Sequence, residues 1–376
     1  MLLGVAIYKF FPYGGLQRDL LKIARECLTR GHRVRVYAQE WRGPPIEGVD
    51  LRVLPVRGLA SHRRYARFHR RLAEEVAREP VDLLLGMNKM PGLDAYFAGD
   101  SCYVEKVATQ RPRAYRLLPR YRHFAAFEAS VFRAGARAHV LTLTPATQCV
   151  YARRYGTPPE RFHLLPPGIE RDRIAPPDAH RVRAAFRQEH GLDHEDRLLL
   201  FIGSGFRKKG LDRVLTGVAA LPPALAEQTR LYVLGEDNAA PFRRQARRLG
   251  LDGRVRFYPG RDDVPAFLLG ADALLLPAYD ELAGMVILEA MGAGLAALVS
   301  AECGYAAYLA DADAGLVTPA PFRQADFDAL LGDVLTSPRR AEWRANGLAA
   351  ARDGRLFGLE TAAVDCLERL VGERDS

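Results

Sequence analysis

The stretch ALLLPAYDELAGMVILEA, residues 273–290, decides the fold. Ala273–Leu276 is a short apolar run stopped by Pro277, which reads as a buried strand. A loop runs on to Gly284, and the residues after it continue as an apolar helix. Strand, loop and helix in so short a space form the repeating unit of a parallel sheet covered by helices. Two carboxylates punctuate the unit in E-x7-E spacing, Glu281 in the loop and Glu289 in the helix. With the helix starting near Gly284, Glu289 stands about 7–8 Å along it. A pyrophosphate at the helix mouth would leave Glu289 able to meet a ribose and Glu281 able to meet a sugar. Such spacing alone arises by chance in an acid-rich chain; its place after the fourth strand of a Rossmann-like half gives it weight.

Working outward, Leu198–Gly203, Leu231–Gly235 and Val255–Tyr258 precede this unit as strands, and Ala296–Ser300 follows it. An earlier set comprises Leu2–Tyr8, Val34–Tyr37, Leu51–Val56, Val81–Gly86, Val140–Thr144 and Phe162–Leu165. Between its first two members, Leu16, Leu20, Ile23, Ala24 and Cys27 recur at helical spacing until Gly31. Tyr65, Phe68, Leu72 and Val76 mark one face of a later, basic helix. Pro166-Pro167-Gly168 and Ala175-Pro176-Pro177 interrupt the pattern between the two sets. The predicted architecture is therefore α/β, with two Rossmann-like domains whose parallel sheets face each other across a cleft. Residues 1–167 are expected to bind acceptor and residues 168–358 nucleotide. Residues 359–376, with an amphipathic Thr361–Val371, are expected to form a helix crossing back to the first domain.

Neither half carries GxGxxG, and GxxxxGK[ST], HExxH and GxSxG are missing from the sequence. At 376 residues the chain suits two domains, and 48% hydrophobic with 26% charged residues reads as soluble and globular. Its apolar runs are far shorter than a membrane span. MLLGVAIYKFFPYGG at the N-terminus reads as a first buried strand rather than a signal peptide. Five scattered cysteines, Cys27, Cys102, Cys149, Cys303 and Cys366, never in CxxC spacing, point to a reducing compartment and away from a zinc site. The net charge of +9 suits nucleic acid, an anionic membrane or a phosphorylated substrate, and arginine-rich codon usage accounts for part of it.

Two further loops carry candidate chemistry. In Lys9-Phe10-Phe11-Pro12-Tyr13-Gly14-Gly15, Gly14 and Gly15 let backbone N–H groups approach a ligand ahead of a helix N-terminus. For the Gly pair alone, a plain strand-to-helix turn is the better reading. Asp19, one turn on, reaches the same place or simply suits the first turn of a helix. In Gly203-Ser204-Gly205-Phe206-Arg207-Lys208-Lys209-Gly210, cations stand at the carboxyl end of a strand, where Arg173 could join them. They would offset charge on a departing diphosphate; the competing reading is a solvated basic turn.

The E-x7-E pair, GSGFRKKG and the Gly14-Gly15 loop, in this order, resemble family 4 retaining glycosyltransferases of GT-B fold. YKFFPYGGLQRD, GMNKMPGLDAYFAGD, LLPPGIERDR, LPAYDELAG and ECGYAAY extend the resemblance, along nearly the whole chain, to the lipopolysaccharide core glucosyltransferase I branch of that family. The resemblance implies transfer of a hexose, glucose favoured, from a UDP-sugar to a heptose of the lipopolysaccharide inner core with retained configuration. It implies that the Gly15 backbone, Arg173 and Lys209, more than Lys208, hold the diphosphate, with Gly203 in the same loop. Glu289 would bind the ribose, Glu281 the donor sugar, and Arg261 would lie beside the uracil. Ala283, Gly284 and Met285 would border the sugar, and Asp19 and Asp100 would face the reacting centre or the acceptor. The donor stays open between glucose, galactose and an N-acetylhexosamine.

Between Cys102 and Arg137, Lys106, Arg116, Arg120 and Arg122 stand among further arginines and interleaved aromatics. Arginine with aromatics suits a lipid headgroup interface, at about 1 kcal/mol per cation near an anionic surface. A helix pair burying its aromatics with solvated arginines competes with that reading. The resemblance supports membrane contact here and implies an enzyme at the cytoplasmic face of the inner membrane. Nucleic acid is disfavoured because the basic residues follow no known binding motif. Nothing in the sequence reads as a metal clamp, so no cofactor or essential metal is expected. A UDP-sugar epimerase of the same fold and a non-catalytic membrane-surface nucleotide-sugar binder are the alternatives.

Overall fold

The N-terminal apolar run forms β1 (Leu2–Phe10), buried along most of its length. Around it assemble β2 (Arg33–Trp41), β3 (Val49–Val53), β4 (Leu83–Gly86), β5 (Ala95–Phe97), β6 (His139–Thr142) and β7 (Phe162–Leu164). They make one parallel sheet in the order β3-β2-β1-β4-β5-β6-β7. A second parallel sheet contains β8 (Arg197–Ile202), β9 (Thr229–Leu234), β10 (Val255–Tyr258), β11 (Ala273–Leu276), β12 (Ala297–Ser300) and β13 (Gly315–Thr318), in the order β10-β9-β8-β11-β12-β13. This computed structural model describes residues 1–12 and 14–375, so Tyr13 of the first loop lies outside the described residues. Contacts divide the chain into one unit of Met1–Pro166 with the residues from Gly358 on, and a second of Pro167–Phe357.

Each sheet is covered by helices, as fully parallel strands require. In the first unit Ala6, Tyr37, Leu84, Tyr96 and Val140 pack with Phe68, Leu72, Phe132 and Tyr151. In the second, Leu199, Phe201, Leu231, Val233, Leu275 and Leu298 pack with Val214, Leu215, Phe327 and Leu331. Burying each such side chain contributes about 1.5–3 kcal/mol. The helix Leu359–Asp375 lies in the first unit against the helix Gly15–Thr29. Arg30 fastens the two through Asp365 (2.6 Å) and Glu368 (3.0 Å).

Two strands differ from the sequence reading by omission: β5 has only three residues, and β13 begins on a glycine and is only partly buried at three of its four positions. A third lies earlier than the expected Leu51–Val56. β3 begins at Val49 and stops at Val53, because Pro55 cannot donate to the ladder. In both sheets the strand order reverses direction once, between β1 and β4 and between β8 and β11. Ligands of such sheets bind outside the carboxyl ends of the strands at these reversals.

Candidate active site

In the second unit, the exits of β8 and β11 lie side by side and are tied together. The β8 exit loop turns back at Gly210, whose φ is +83°. A Cβ there would stand 2.0 Å from the carbonyl oxygen of Pro277. A Cβ at Gly203 would likewise meet the Lys209 side chain at 2.6 Å. Tyr279 N–H donates to the Lys208 carbonyl at 2.8 Å, and Arg213 donates to the carbonyls of Pro277 and Ala278 at 3.0 Å each. The stitched loops place Lys209 Nζ 2.6 Å from Glu281 Oε2, with both side chains largely buried. Lys208 Nζ approaches Asp280 at 3.9 Å and is more exposed.

A further strap holds Glu281 from the other side. Glu281 forms a parallel bridge with Cys303; the Gly304 N–H donates to the Glu281 carbonyl at 2.9 Å and Tyr305 N–H to that of Ala283 at 2.7 Å. The ECGY stretch is therefore part of the site, a role no spacing in the chain announces. Burial pushes the Cys303 thiol up to about 11, which keeps it unreactive.

The helix Met285–Ala293 starts directly after Gly284, with Ala283 and Met285 at its mouth. Glu289 is its one charged side chain and is buried among apolar neighbours. Arg173, from the 3-10 turn Arg171–Arg173, reaches to 3.9 Å from it. That guanidinium is itself buried; its Nε has only long contacts, to Asp172 at 3.5 Å and to Glu289, and its Nη1 has no hydrogen-bond partner. An unsatisfied buried N–H costs about 1–3 kcal/mol, so such groups mark places where a ligand completes the bonding. Arg173 borders a cavity of about 610 Å³, whose far wall includes Asp262, Asp263 and Pro265.

Arg261 is engaged elsewhere. Two 2.6 Å bonds tie it to Asp263, and its guanidinium lies 5.4 Å from the Tyr258 ring centre and 4.8 Å from that of Phe267. The same bonds hold the Asp263 carboxyl below its ordinary range. Arg261 thus stands beside the cavity wall rather than with the Lys209–Glu281 pair.

In the first unit, Gly14 precedes the helix Gly15–Thr29 and is pressed against Gln17, whose side-chain amide donates to the Lys9 carbonyl at 2.9 Å. Gly15 has open space where a side chain would be. Asp19 is buried in the next turn. Gly99 packs on Leu16, so the loop carrying the exposed Asp100 abuts the start of the same helix. Asp19 and Asp100 are thereby brought to neighbouring elements of one unit.

Sequence reasoning missed the group that organises this end of the sheet. Beyond β4, Asn88 accepts the Tyr8 N–H at 2.8 Å, and Lys89 Nζ meets Glu128 at 2.7 Å. Fully buried Glu128 also accepts from the N–H groups of Tyr103 (2.6 Å) and Val104 (3.0 Å) and from the Tyr155 hydroxyl (2.8 Å). Burial alone would raise its pKa, but Lys89 and the two N–H groups outweigh it and hold the carboxyl below its ordinary range. No motif or periodicity distinguishes Glu128 from a surface residue.

Glu128 also anchors the basic segment, which folds as the helix Tyr103–Gln110, the 3-10 turn Arg113–Leu117 and the helix Pro119–Phe132. The aromatics turn inward: Tyr103 packs on Tyr121 and Phe124, and Phe124 on Tyr65. Lys106, Arg116, Arg120 and Arg122 are exposed, as are Leu117 (69%) and Leu118 (46%) at the tip. The outward apolar groups are therefore two leucines and not the interleaved aromatics.

Comparison with known proteins follows the same division. Residues 13–173 match the family described as Glycosyltransferase Family 4, and residues 182–349 that described as Glycosyl transferases group 1. The chain is 42% identical to lipopolysaccharide glucosyltransferase WaaG of Escherichia coli K12, over 98% of both chains. It superposes on a crystal structure of WaaG, a glycosyltransferase involved in lipopolysaccharide biosynthesis, with a TM-score of 0.94 over 97% of this chain and 99% of that one. Anabaena HepE, solved with UDP-glucose, shares the fold with a TM-score of 0.74 at 19% identity, over 99% of this chain and all of that one.

Proposed function

This chain belongs to the WaaG family of two-domain GT-B glycosyltransferases, and from that premise we propose that it moves a glucosyl group from UDP-glucose to a heptose of the lipopolysaccharide inner core with retained configuration. The observation that carries the reading is the buried Arg173 guanidinium, whose Nη1 has no hydrogen-bond partner, beside Glu289. Arg173 and Lys209 are proposed to bind the diphosphate, Glu289 the ribose, Glu281 the glucosyl hydroxyls and the Arg261 loop the uracil. As the bond to the anomeric carbon breaks, negative charge grows on the departing diphosphate. Fixed cations already in place stabilise it without reorganisation. The acceptor hydroxyl is proposed to attack on the face that the diphosphate leaves, positioned near Asp19 and Asp100 with the Gly15 backbone close by. On this reading the cations do the work of a metal, and turnover survives a chelator.

Among the described residues no helix is long and apolar enough to cross a membrane. We propose peripheral attachment to the cytoplasmic face of the inner membrane through Leu117, Leu118 and the exposed Lys106, Arg116, Arg120 and Arg122. The function is tested by UDP release from a panel of UDP-hexoses, with and without truncated inner-core lipopolysaccharide. Release that needs both UDP-glucose and the acceptor is expected. Release independent of acceptor, or none from any donor, would overturn the proposal.

A further inference from the structure

The loop after β3 and the helix Ser61–Arg78 border an open groove of about 660 Å³ whose charged side chains, all exposed, are arginines apart from Glu74. Arg67, Arg70, Arg71 and Glu74 stand at i, i+3, i+4 and i+7, one stripe of the helix, and Arg57 joins them from the loop. Arg71 donates to the Pro55 carbonyl at 2.7 Å and Arg67 to that of Arg57, so the loop is held against the stripe. Among the described residues, none of the four guanidiniums has a carboxylate within ion-pair distance. Elsewhere in this unit arginines such as Arg30, Arg35 and Arg52 are paired. Four arginines against the single carboxylate of Glu74 leave the groove with a positive excess, and each guanidinium offers forked N–H groups that fit an oxyanion.

The groove also lies at the working edge of its sheet. β3 is parallel to β1 and two places from it, so its exit opens on the same edge, about 10 Å away at 4.8 Å per strand. The helix that carries the stripe carries Tyr65 too, stacked on Tyr8 of β1 with ring centres 3.8 Å apart. One rigid element therefore meets the β1 exit with its Tyr65 face and the arginine groove with its opposite face.

We propose that this groove is a subsite for an oxyanion, phosphate or carboxylate, carried on the acceptor glycan. The proposal rests on the transferase reading and adds what that reading leaves open, the charge the acceptor must bear. Arg57→Gln/Arg70→Gln tests it while leaving both loop ties, from Arg67 and Arg71, in place. Wild-type protein and the variant are compared on truncated inner-core lipopolysaccharide, on the same acceptor stripped of phosphate, and on the same acceptor with its carboxylates amidated. The variant is expected to show an acceptor KM about tenfold higher, a loss of about 1.4 kcal/mol, with kcat and donor KM unchanged. One of the two treatments should raise the wild-type KM by the same factor and leave the variant's where it was, which names the anion. Equal KM values for the two proteins on the untreated acceptor overturn the subsite, as does a wild-type KM that neither treatment moves. Weakened binding to phosphatidylglycerol vesicles with unchanged acceptor KM assigns the groove to the membrane and overturns it too. Failure of the wild-type protein to transfer at all would show before any variant is made, and would remove the parent reading and the subsite together.

Discussion

Lys209 Nζ lies 2.6 Å from Glu281 Oε2, although the two residues are 72 positions apart. The contact gives each charge a partner and holds both at the adjoining exits of β8 and β11, so that on the proposed reading neither side chain has to be gathered when a donor arrives. On that reading the energy of ordering them is spent in folding and not in the transition state.

If Lys209 stabilises the departing diphosphate, Lys209→Ala lowers turnover at least about tenfold, or about 1.4 kcal/mol. Steady-state kinetics on UDP-glucose with acceptor would show it. Near-normal turnover would take Lys209 out of the charge-stabilising role.

Gly210 is where the two loops touch most closely, with positive φ and the Pro277 carbonyl where a Cβ would sit. Gly210→Ala therefore destabilises the second unit by about 2 kcal/mol or more. For a domain of this size Tm falls by about 2–4 °C for each kcal/mol. Calorimetry that finds no shift would contradict the close approach.

Glu128 couples stability to pH. Its folded pKa lies below the unfolded value of about 4.3, so its contribution is complete above that pH and is lost as pH falls through the folded value. Glu128→Gln leaves Lys89 buried without its partner and costs about 3–5 kcal/mol at pH 7. The gap between wild type and variant should narrow below about pH 4. A gap of constant size between pH 7 and acid, followed by thermal unfolding, would exclude this linkage.

The exposed arginines around Leu117 and Leu118 carry a separate expectation. Replacing Arg116, Arg120 and Arg122 by Glu should abolish binding to anionic vesicles while donor affinity holds, since each cation is worth about 1 kcal/mol at such a surface. Vesicle flotation that is unchanged in the triple variant would remove the segment from the membrane reading.

Much of this site is legible in the chain because its parts are local. Glu281 and Glu289 belong to one strand–loop–helix unit, and Gly203 through Gly210 belong to one turn, so spacing and flanking apolar runs locate them. Arg261 shows the limit: its place after β10 was readable, but its two bonds to Asp263 were not. The aromatics of the basic segment show it again. Tyr103, Tyr121 and Phe124 read first as a lipid interface, with a packed helix pair as the competitor, and the fold packs them together.

By itself the sequence determined the alternation of strands and helices, the break near Pro166 and the order of the charged loops. These depend on apolar periods of two and 3.6 residues and on proline and glycine, which act within a few positions of chain. Only the tertiary structure decided which charges meet. The second sheet runs β10-β9-β8-β11, so the exits of β8 and β11 are neighbours although two strands separate them along the chain. That order brings Lys209 to Glu281, and the packing of a 3-10 turn brings Arg173 to Glu289. Strand order follows from how whole apolar faces are buried together, a property of the assembled sheet that no single segment carries.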